Sequence, residues 1–383
     1  MRIKNIKLLN FRNYDDVTID FIPGVNIIIG DNGVGKTNIL EAIYVLSLTK
    51  SNRFGNDFDL IKTGKSNLNI IGEVEYDDYL KRYQVSIDKN SKKVYINNFN
   101  LKKISEYISN FCVTSFLPND IEIIKGSPSV RRNLLNIQIG QLYNHYLKHV
   151  NEYNSLLKMR NEYLKRLNLN AMSDIKFLDV INQKMIDVSV KIYYFRYFYL
   201  DEVNKIIPNI YKRLSGISDL KVEYINNLGI NTYDEEKIKE ILNIKWKKNV
   251  NKEMMQGMTL FGLHRDDLIF SIKGMDSRIF ASQGQQKLIV IAYKIAELLV
   301  FKKIKKEYPV LLLDDVFSEI DIKKRNNLIK YLKNDMQVII TTTDIKDIDN
   351  DLVNNARVFK IKDGQIKHKG GVINGRRKST RKL

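Results

Sequence analysis

Residues 25–48 read VNIIIGDNGVGKTNILEAIYVLSL, and this stretch decides the fold. VNIIIG is an apolar run of the kind a strand shows when both its faces are covered. Residues 37–48 carry apolar side chains at helical period. Between them, Gly30-Asp31-Asn32-Gly33-Val34-Gly35-Lys36-Thr37 matches G-x-x-x-x-G-K-[ST] in the strand–loop–helix setting where that pattern binds phosphates. The glycines let backbone N–H groups turn inward around an anion. Lys36 brings a cation to the β and γ oxygens, and Thr37 offers its hydroxyl to Mg²⁺. An accidental loop match is the alternative, and the flanking strand and helix argue against it. ATP with Mg²⁺ is the expected ligand.

A second chemical signal lies far along the chain. Val310-Leu311-Leu312-Leu313-Asp314-Asp315 is a hydrophobic strand ending in two acids. Asp314 is placed to hold Mg²⁺, directly or through water, and Asp315 to orient and polarise an attacking water. Asp315, Asp314 and Lys36 are therefore the expected catalytic set. The bland alternative is an acid pair that caps the next helix.

Residues 281–288, ASQGQQKL, open another helix. Ser282 is a good N-cap, and free N–H groups of a first turn favour negative charge. Gly284 lets a ligand approach the backbone. One reading is an ordinary capped helix. The P-loop already supplies one phosphate cradle, so the other reading assigns Ser282, Gln283, Gly284 and Gln285 to a nucleotide held by a second copy of the chain. Two copies facing head to tail would enclose two ATP molecules, and hydrolysis would release the dimer.

Around these motifs the first hundred residues alternate as strands: RIKNIKLLNF, YDDVTIDFI, NLNIIGEVEY, KRYQVSID and KKVYIN. From Arg131 the texture turns helical, with two long patterns that break near 168–173 and end near Leu214. Helices of 35–40 residues would each reach roughly 50–60 Å. After Gly257 strands and helices return: DLIFSIK, a helix from Gln283 to Lys302, YPVLLLDD, a helix from Asp321 to Leu332, QVIITTTD and a hairpin in ARVFKIKDGQI. The expected division is 1–130 and 257–366 as the two halves of an α/β nucleotide-binding head. Residues 131–256 form an inserted helical arm or lobe, and 367–383 a basic, disordered tail.

The chain has 383 residues, a formal net charge of +19 and a single cysteine, Cys112. Disulfides cannot organise such a chain, and the expectation is a soluble cytoplasmic protein with no membrane partner. The charge favours polyanions, nucleic acid first. A lysine-rich composition inflates its size more than its sign. The four histidines are scattered, with no zinc spacing.

Taken together, the P-loop, the distant S-x-G-Q signature, the acid pair and the helical insertion resemble the ABC-type ATPase heads of the SMC class, and most closely the RecF family of recombination mediators. The resemblance spans nearly the whole chain. It includes Asn10-Phe11-Arg12-Asn13-Tyr14, Gly126-Ser127-Pro128 with Arg131-Arg132, Gly262-Leu263-His264-Arg265-Asp266-Asp267-Leu268, and Thr341-Thr342-Thr343-Asp344. It implies an ATP-dependent homodimer that binds single-stranded and duplex DNA, with preference for gapped junctions. It further implies work with RecO and RecR in loading RecA, and support of SOS induction. By the same resemblance Arg12 approaches the nucleotide phosphates, Thr343 occupies the switch position held by histidine in many ABC ATPases, and Asp315 stands where transporters carry glutamate. Both departures suit slow hydrolysis, and the enzyme expected is a slow, DNA-stimulated ATPase acting as a switch. Gly262-Leu263-His264 differs from the family's Gly-Pro-His. No glutamine matches the Q-loop of transporters, for which Asn119 and Asp120 are the candidates.

Two other functions share the nucleotide motifs. A membrane ABC transporter's ATP-binding subunit is disfavoured by the helical insertion and the missing Q-loop glutamine. An SMC-like structural chromosome protein would carry a far longer coiled coil and a hinge.

Overall fold

The computed structural model describes residues 1–53, 55–169, 175–319, 335–348, 350–362 and 365–369, together with 325, 327 and 329–331. The expected helix from Asp321 to Leu332 lies largely outside these residues, as does the expected tail 367–383, except that Lys367, His368 and Lys369 pair in a hairpin strand rather than in a tail. Contacts group the chain into two compact units. Unit 1 comprises Met1–Asn100, Val113–Pro118 and Pro309–Leu383; unit 2 comprises Leu101–Cys112 and Asn119–Tyr308. Residues 257–308 thus group with the helical unit, so the contact division and the sequence division are drawn at different places.

Unit 1 holds two sheets. The first is fully antiparallel, in the order β2-β1-β4-β5-β6-β7, built from β1 (Arg2–Phe11), β2 (Tyr14–Asp20), β4 (Asn67–Glu75), β5 (Leu80–Asp88), β6 (Lys92–Ile96) and β7 (Phe99–Asn100). Its strands alternate in burial, as β4 does at every second residue, because only one face is covered. The second sheet runs β15-β14-β3-β13-β12-β8. Its members are β3 (Val25–Ile29), β8 (Val113–Phe116), β12 (Val310–Asp314), β13 (Val338–Thr342), β14 (Arg357–Lys362) and β15 (Gln365–Lys369). All its pairings are parallel except the β14–β15 hairpin. Strands β8, β12 and β13 are buried at every position, which suits the apolar runs Val310–Leu313 and Val338–Ile340, while Thr114, Ser115, Thr341 and Thr342 are buried polar exceptions.

Helix α1 (Lys36–Leu48) touches strands of both sheets, and ten of its thirteen residues are buried. A side-chain amide also ties the sheets together. Gln337 Oε1 accepts from Ile3 N–H and Gln337 Nε2 donates to the Ile3 carbonyl, both at 2.8 Å.

Unit 2 is mainly helical. In order it contains α2 (Ile104–Tyr107), α3 (Glu122–Lys125), α4 (Pro128–Leu142), α5 (Asn144–Leu169), α6 (Ile175–Ser215), α7 (Glu235–Gln256), α8 (Ser277–Phe280) and α9 (Gln283–Lys305). A three-stranded antiparallel sheet joins them, formed by β9 (Leu220–Ile225), β10 (Asp267–Ile272) and β11 (Met275–Asp276) in the order β11-β10-β9. At 41 residues α6 is the long element, about 60 Å by its rise per residue, and it packs on α5, α7 and α9.

The first long helical pattern is not one helix. The chain leaves helical geometry at Tyr143 (φ −131°, ψ 108°), which separates α4 from α5. Gly140 registers the turn. A Cβ there would lie 2.6 Å from the Leu147 side chain, a contact that residues seven apart on a straight helix, about 10 Å along its axis, cannot make. Periodicity alone does not report such a turn, because both segments keep the same apolar spacing.

Candidate nucleotide site and signature helix

The P-loop follows β3 and opens α1. Gly33 (φ 81°) and Gly35 (φ 107°) hold left-handed backbone that side chains rarely adopt. Gly35 is the N-cap of α1 and supplies no side-chain cap, so N–H groups of the first turn are left for a ligand. The β1–β2 corner braces the loop from behind. Tyr14 Oη donates to the Gly35 carbonyl at 3.1 Å, and Asn13 Nδ2 donates to the Val34 carbonyl at 3.2 Å. A Cβ on Gly35 would meet Asn13 Nδ2 at 2.5 Å and the Tyr14 hydroxyl at 2.8 Å.

In front of the loop lies a cavity of about 360 Å³, lined by P-loop residues together with Arg53, Pro118, Asp314 and Asp315. Lys36 Nζ donates to the carbonyls of Gly30 (2.7 Å) and Asp31 (2.8 Å). Burial lowers the Lys36 ammonium below its ordinary value, while Asp315, Asp314 and Asp31 pull it the other way. Thr37 Oγ1 donates to Asp314 Oδ1 at 2.9 Å, and Thr341 Oγ1 donates to the same oxygen at 2.7 Å. Asp314 is therefore fixed by hydroxyls from α1 and β13. Asp315 follows with φ 52°, its N–H directed at the Thr341 carbonyl at 3.2 Å.

The residues fit a magnesium nucleotide. Uncapped N–H groups and Lys36 suit phosphate oxygens. Thr37 Oγ1 and Asp314 Oδ1, adjacent hard oxygens at the cavity wall, suit Mg²⁺. Among the described residues no group of three or more His, Cys, Asp or Glu side chains could hold a metal.

Arg12 sits elsewhere than on the cavity wall. Its Nε and Nη2 fork onto the Glu41 carboxylate at 2.9 and 2.7 Å, and its Nη1 donates to the Asp59 carbonyl at 2.8 Å. Glu41 lies one turn beyond Thr37 on α1 and is 1% exposed. It also accepts from Ser51 Oγ at 2.5 Å and has Arg53 at 3.6 Å. Arg53 reaches Asn38 Oδ1 at 3.1 Å. Sequence reading missed Asn13 as a brace, Glu41 and Arg53. Only the pattern Asn10–Tyr14 hinted at the first. Thr343 is exposed just beyond β13. Of the Q-loop candidates, Asp120 faces Lys294 Nζ at 3.6 Å within unit 2.

In unit 2 the signature forms a capping box at the start of α9. Ser282 Oγ accepts from Gln285 N–H at 3.3 Å, and Gln285 Oε1 accepts from Ser282 N–H at 2.9 Å. Ser282, Gln283 and Gly284 are exposed, and Gly284 has open space where a Cβ would stand. Gln286 turns inward instead, donating to the Ser277 carbonyl at 3.0 Å.

The profile of the RecF/RecN/SMC N-terminal domain family matches residues 2–367. "DNA replication and repair protein RecF" of Staphylococcus epidermidis (strain ATCC 12228 / FDA PCI 1200) is 35% identical over 370 residues, 96% of this chain and 100% of that protein. The protein of the same name from Staphylococcus aureus (strain JH9) is 36% identical over 369 residues, with the same coverage of both chains. A solved structure of the recombination mediator protein RecF with ATP, in the RecFOR pathway, superposes with a TM-score of 0.89 at 32% identity, covering 96% of this chain and 98% of that one. An Smc head bound to the C-terminal winged-helix domain of ScpA superposes at 0.53 with 17% identity, a likeness of fold alone, covering 96% of this chain and 98% of that chain. The fold is the ATPase head shared by RecF and SMC proteins, and the chain belongs to the RecF family.

Proposed function

We propose that the chain is an ATP-dependent DNA-binding switch of recombinational repair and replication restart. The observation that carries this reading is the Thr37–Asp314 contact of 2.9 Å beside the glycine cradle, an arrangement suited to Mg²⁺ and triphosphate. Lys36 exchanges its two carbonyl partners for the β and γ oxygens, a charge-assisted gain over neutral bonds. Thr37 and Asp314 would hold Mg²⁺, which would neutralise phosphate charge. Asp315 holds the attacking water, and Thr343 lies at the switch position.

Ser282, Gln283, Gly284 and Gln285 of one copy receive the γ-phosphate bound by another, so ATP closes a homodimer and hydrolysis opens it. Their exposure and uncluttered backbone support that role. ATP turnover is slow, because an aspartate stands for the usual glutamate base and a threonine for the usual histidine, and in this reading DNA stimulates it.

The charge of +19 supports binding to single strands, duplex and gapped junctions through phosphates. RecF relatives named for the RecFOR pathway support RecR and RecO as partners, with RecA loading and SOS induction downstream. Among the described residues no helix is long and apolar enough to cross a membrane. The cytoplasm is the proposed location, and no membrane partner is proposed.

The test is fluorescence anisotropy of a gapped duplex with and without ATP·Mg²⁺, over a salt series. Tighter binding with ATP and a steep loss of affinity with salt are expected. Binding indifferent to ATP in wild type would overturn the switch.

A further inference from the structure

Nucleotide chemistry leaves two motifs without a task, Gly126–Arg132 and Gly262–Leu268. Within unit 2 they meet. Arg131, 1% exposed, forks onto the Asp267 carboxylate at 2.6 and 3.0 Å. Arg132 Nη1 donates to the Asp266 carbonyl at 2.8 Å. His264 lies 3.1 Å through Nε2 from the Thr259 carbonyl, which fixes the proton there, so its Nδ1 accepts from Tyr153 Oη at 2.9 Å. Beside this junction is a cavity of about 220 Å³, walled by residues of α4, α5, α6 and the turn Leu263–Arg265.

The wall is rich in donors and contains no carboxylate. Arg196 is spent inside the network, on Tyr146 Oη (3.0 Å), Tyr224 Oη (2.8 Å) and Asn136 Oδ1 (3.1 Å). Asn136 Oδ1 also accepts from Tyr146 Oη at 2.7 Å, which orients the amide and leaves its nitrogen as a donor. Arg132 uses a single N–H on protein, and Asn154 on α5 is exposed with no hydrogen bond among the described residues. Burial and the like charge of Arg196 press on the Arg132 guanidinium, while Asp266 and Asp267, outside the cavity wall, pull the other way. A two-oxygen carboxylate offers fewer lone pairs than this donor set can use, whereas a phosphate offers three terminal oxygens and more charge. The remaining wall, Val150, Ile192 and Leu263, is apolar.

We propose that this cavity binds a phosphomonoester, its dianionic head against Arg132, Asn136 and Asn154 and a small organic body against Val150, Ile192 and Leu263. The site lies wholly within unit 2 and is separate from the ATP site proposed at the P-loop.

The experiment is isothermal titration of the full chain carrying Lys36→Ala, which removes the P-loop's own phosphate affinity, with inorganic phosphate and with phenyl phosphate. One saturable site is expected, tighter for phenyl phosphate. Affinity should fall by about tenfold or more in Arg132→Gln and in Asn154→Asp. The second change sits at an exposed position and leaves the buried network intact, so a folding defect cannot explain its effect. No saturable binding, or binding untouched by both substitutions, overturns the proposal. Competition by a 5′-phosphorylated oligonucleotide, with its hydroxyl-ended twin inert, would identify a nucleic-acid end as the source of the phosphomonoester. If neither competes, the source is a small metabolite; equal competition by both contradicts phosphate recognition.

Discussion

Replacing Glu41 by glutamine should destabilise unit 1 by about 2–3 kcal/mol, and the structure sets the magnitude. Glu41 is 1% exposed and takes two charge-assisted bonds from Arg12. Such bonds contribute about 1.5–3 kcal/mol each when intact. Glutamine keeps the shape, loses the charge, and turns an N–H donor toward guanidinium donors. Arg12 is 22% exposed in its side chain, so water recovers part of its loss and the net effect falls below the sum. Arg12→Ala leaves the Glu41 carboxylate to Ser51 and Arg53 and costs a similar amount. The double substitution should cost less than the two together by about 1.5 kcal/mol or more, as expected for partners in direct contact. Urea denaturation followed by far-UV circular dichroism is the assay, because Trp246, the only tryptophan, belongs to unit 2. Additivity within about 0.5 kcal/mol would refute the clamp.

Gly35→Ala should weaken nucleotide binding by about tenfold or more, since left-handed backbone and a Cβ contact of 2.5 Å with Asn13 both oppose it; unchanged affinity by titration would contradict the cradle. Lys36→Ala should abolish ATP binding, while Asp315→Asn should bind ATP and accumulate the dimer, read as mass on a sizing column with ATP·Mg²⁺. Two buried groups of unit 2 make opposite contributions on acidification. Burial lowers His264 to about 4 and raises Asp266 to about 6. Between pH 6.5 and 4 the unfolded chain protonates His264 first, so that group costs stability as pH falls, by up to about 3 kcal/mol. Asp266 takes its proton first in the folded state, so it adds stability on acidification below pH 6, by a similar amount. His264→Gln should therefore gain stability relative to wild type as pH drops from 6.5 to 4, and Asp266→Asn should lose it. Parallel pH profiles for all three proteins would rule this out.

The P-loop was readable because its chemistry is local: strand, glycines, lysine and threonine are consecutive, and the backbone they require is found at Gly33 and Gly35. The strands of the first sheet were readable from alternation, since one covered face imposes a period of two. The long helices were readable in period but not in continuity, because the turn at Tyr143 depends on how Gly140 and Leu147 pack. Arg12 illustrates a further limit. The family resemblance brings it toward the phosphates, but its protein partner is Glu41, twenty-nine residues away, and no spacing rule encodes that pairing. The same holds for Arg131 and Asp267, 136 residues apart, whose motifs were visible separately while the junction they form was not.

The exposed capping box at Ser282 either closes over a partner's ATP or merely caps α9, and molecular mass separates the two. Light scattering on wild type and Ser282→Arg, with and without ATP·Mg²⁺, is the most direct measurement. The expected result is a mass that doubles with ATP in wild type and stays monomeric in Ser282→Arg, with nucleotide binding retained in both. A wild-type mass unmoved by ATP, or a Ser282→Arg protein that still dimerises with it, would contradict the ATP-closed homodimer.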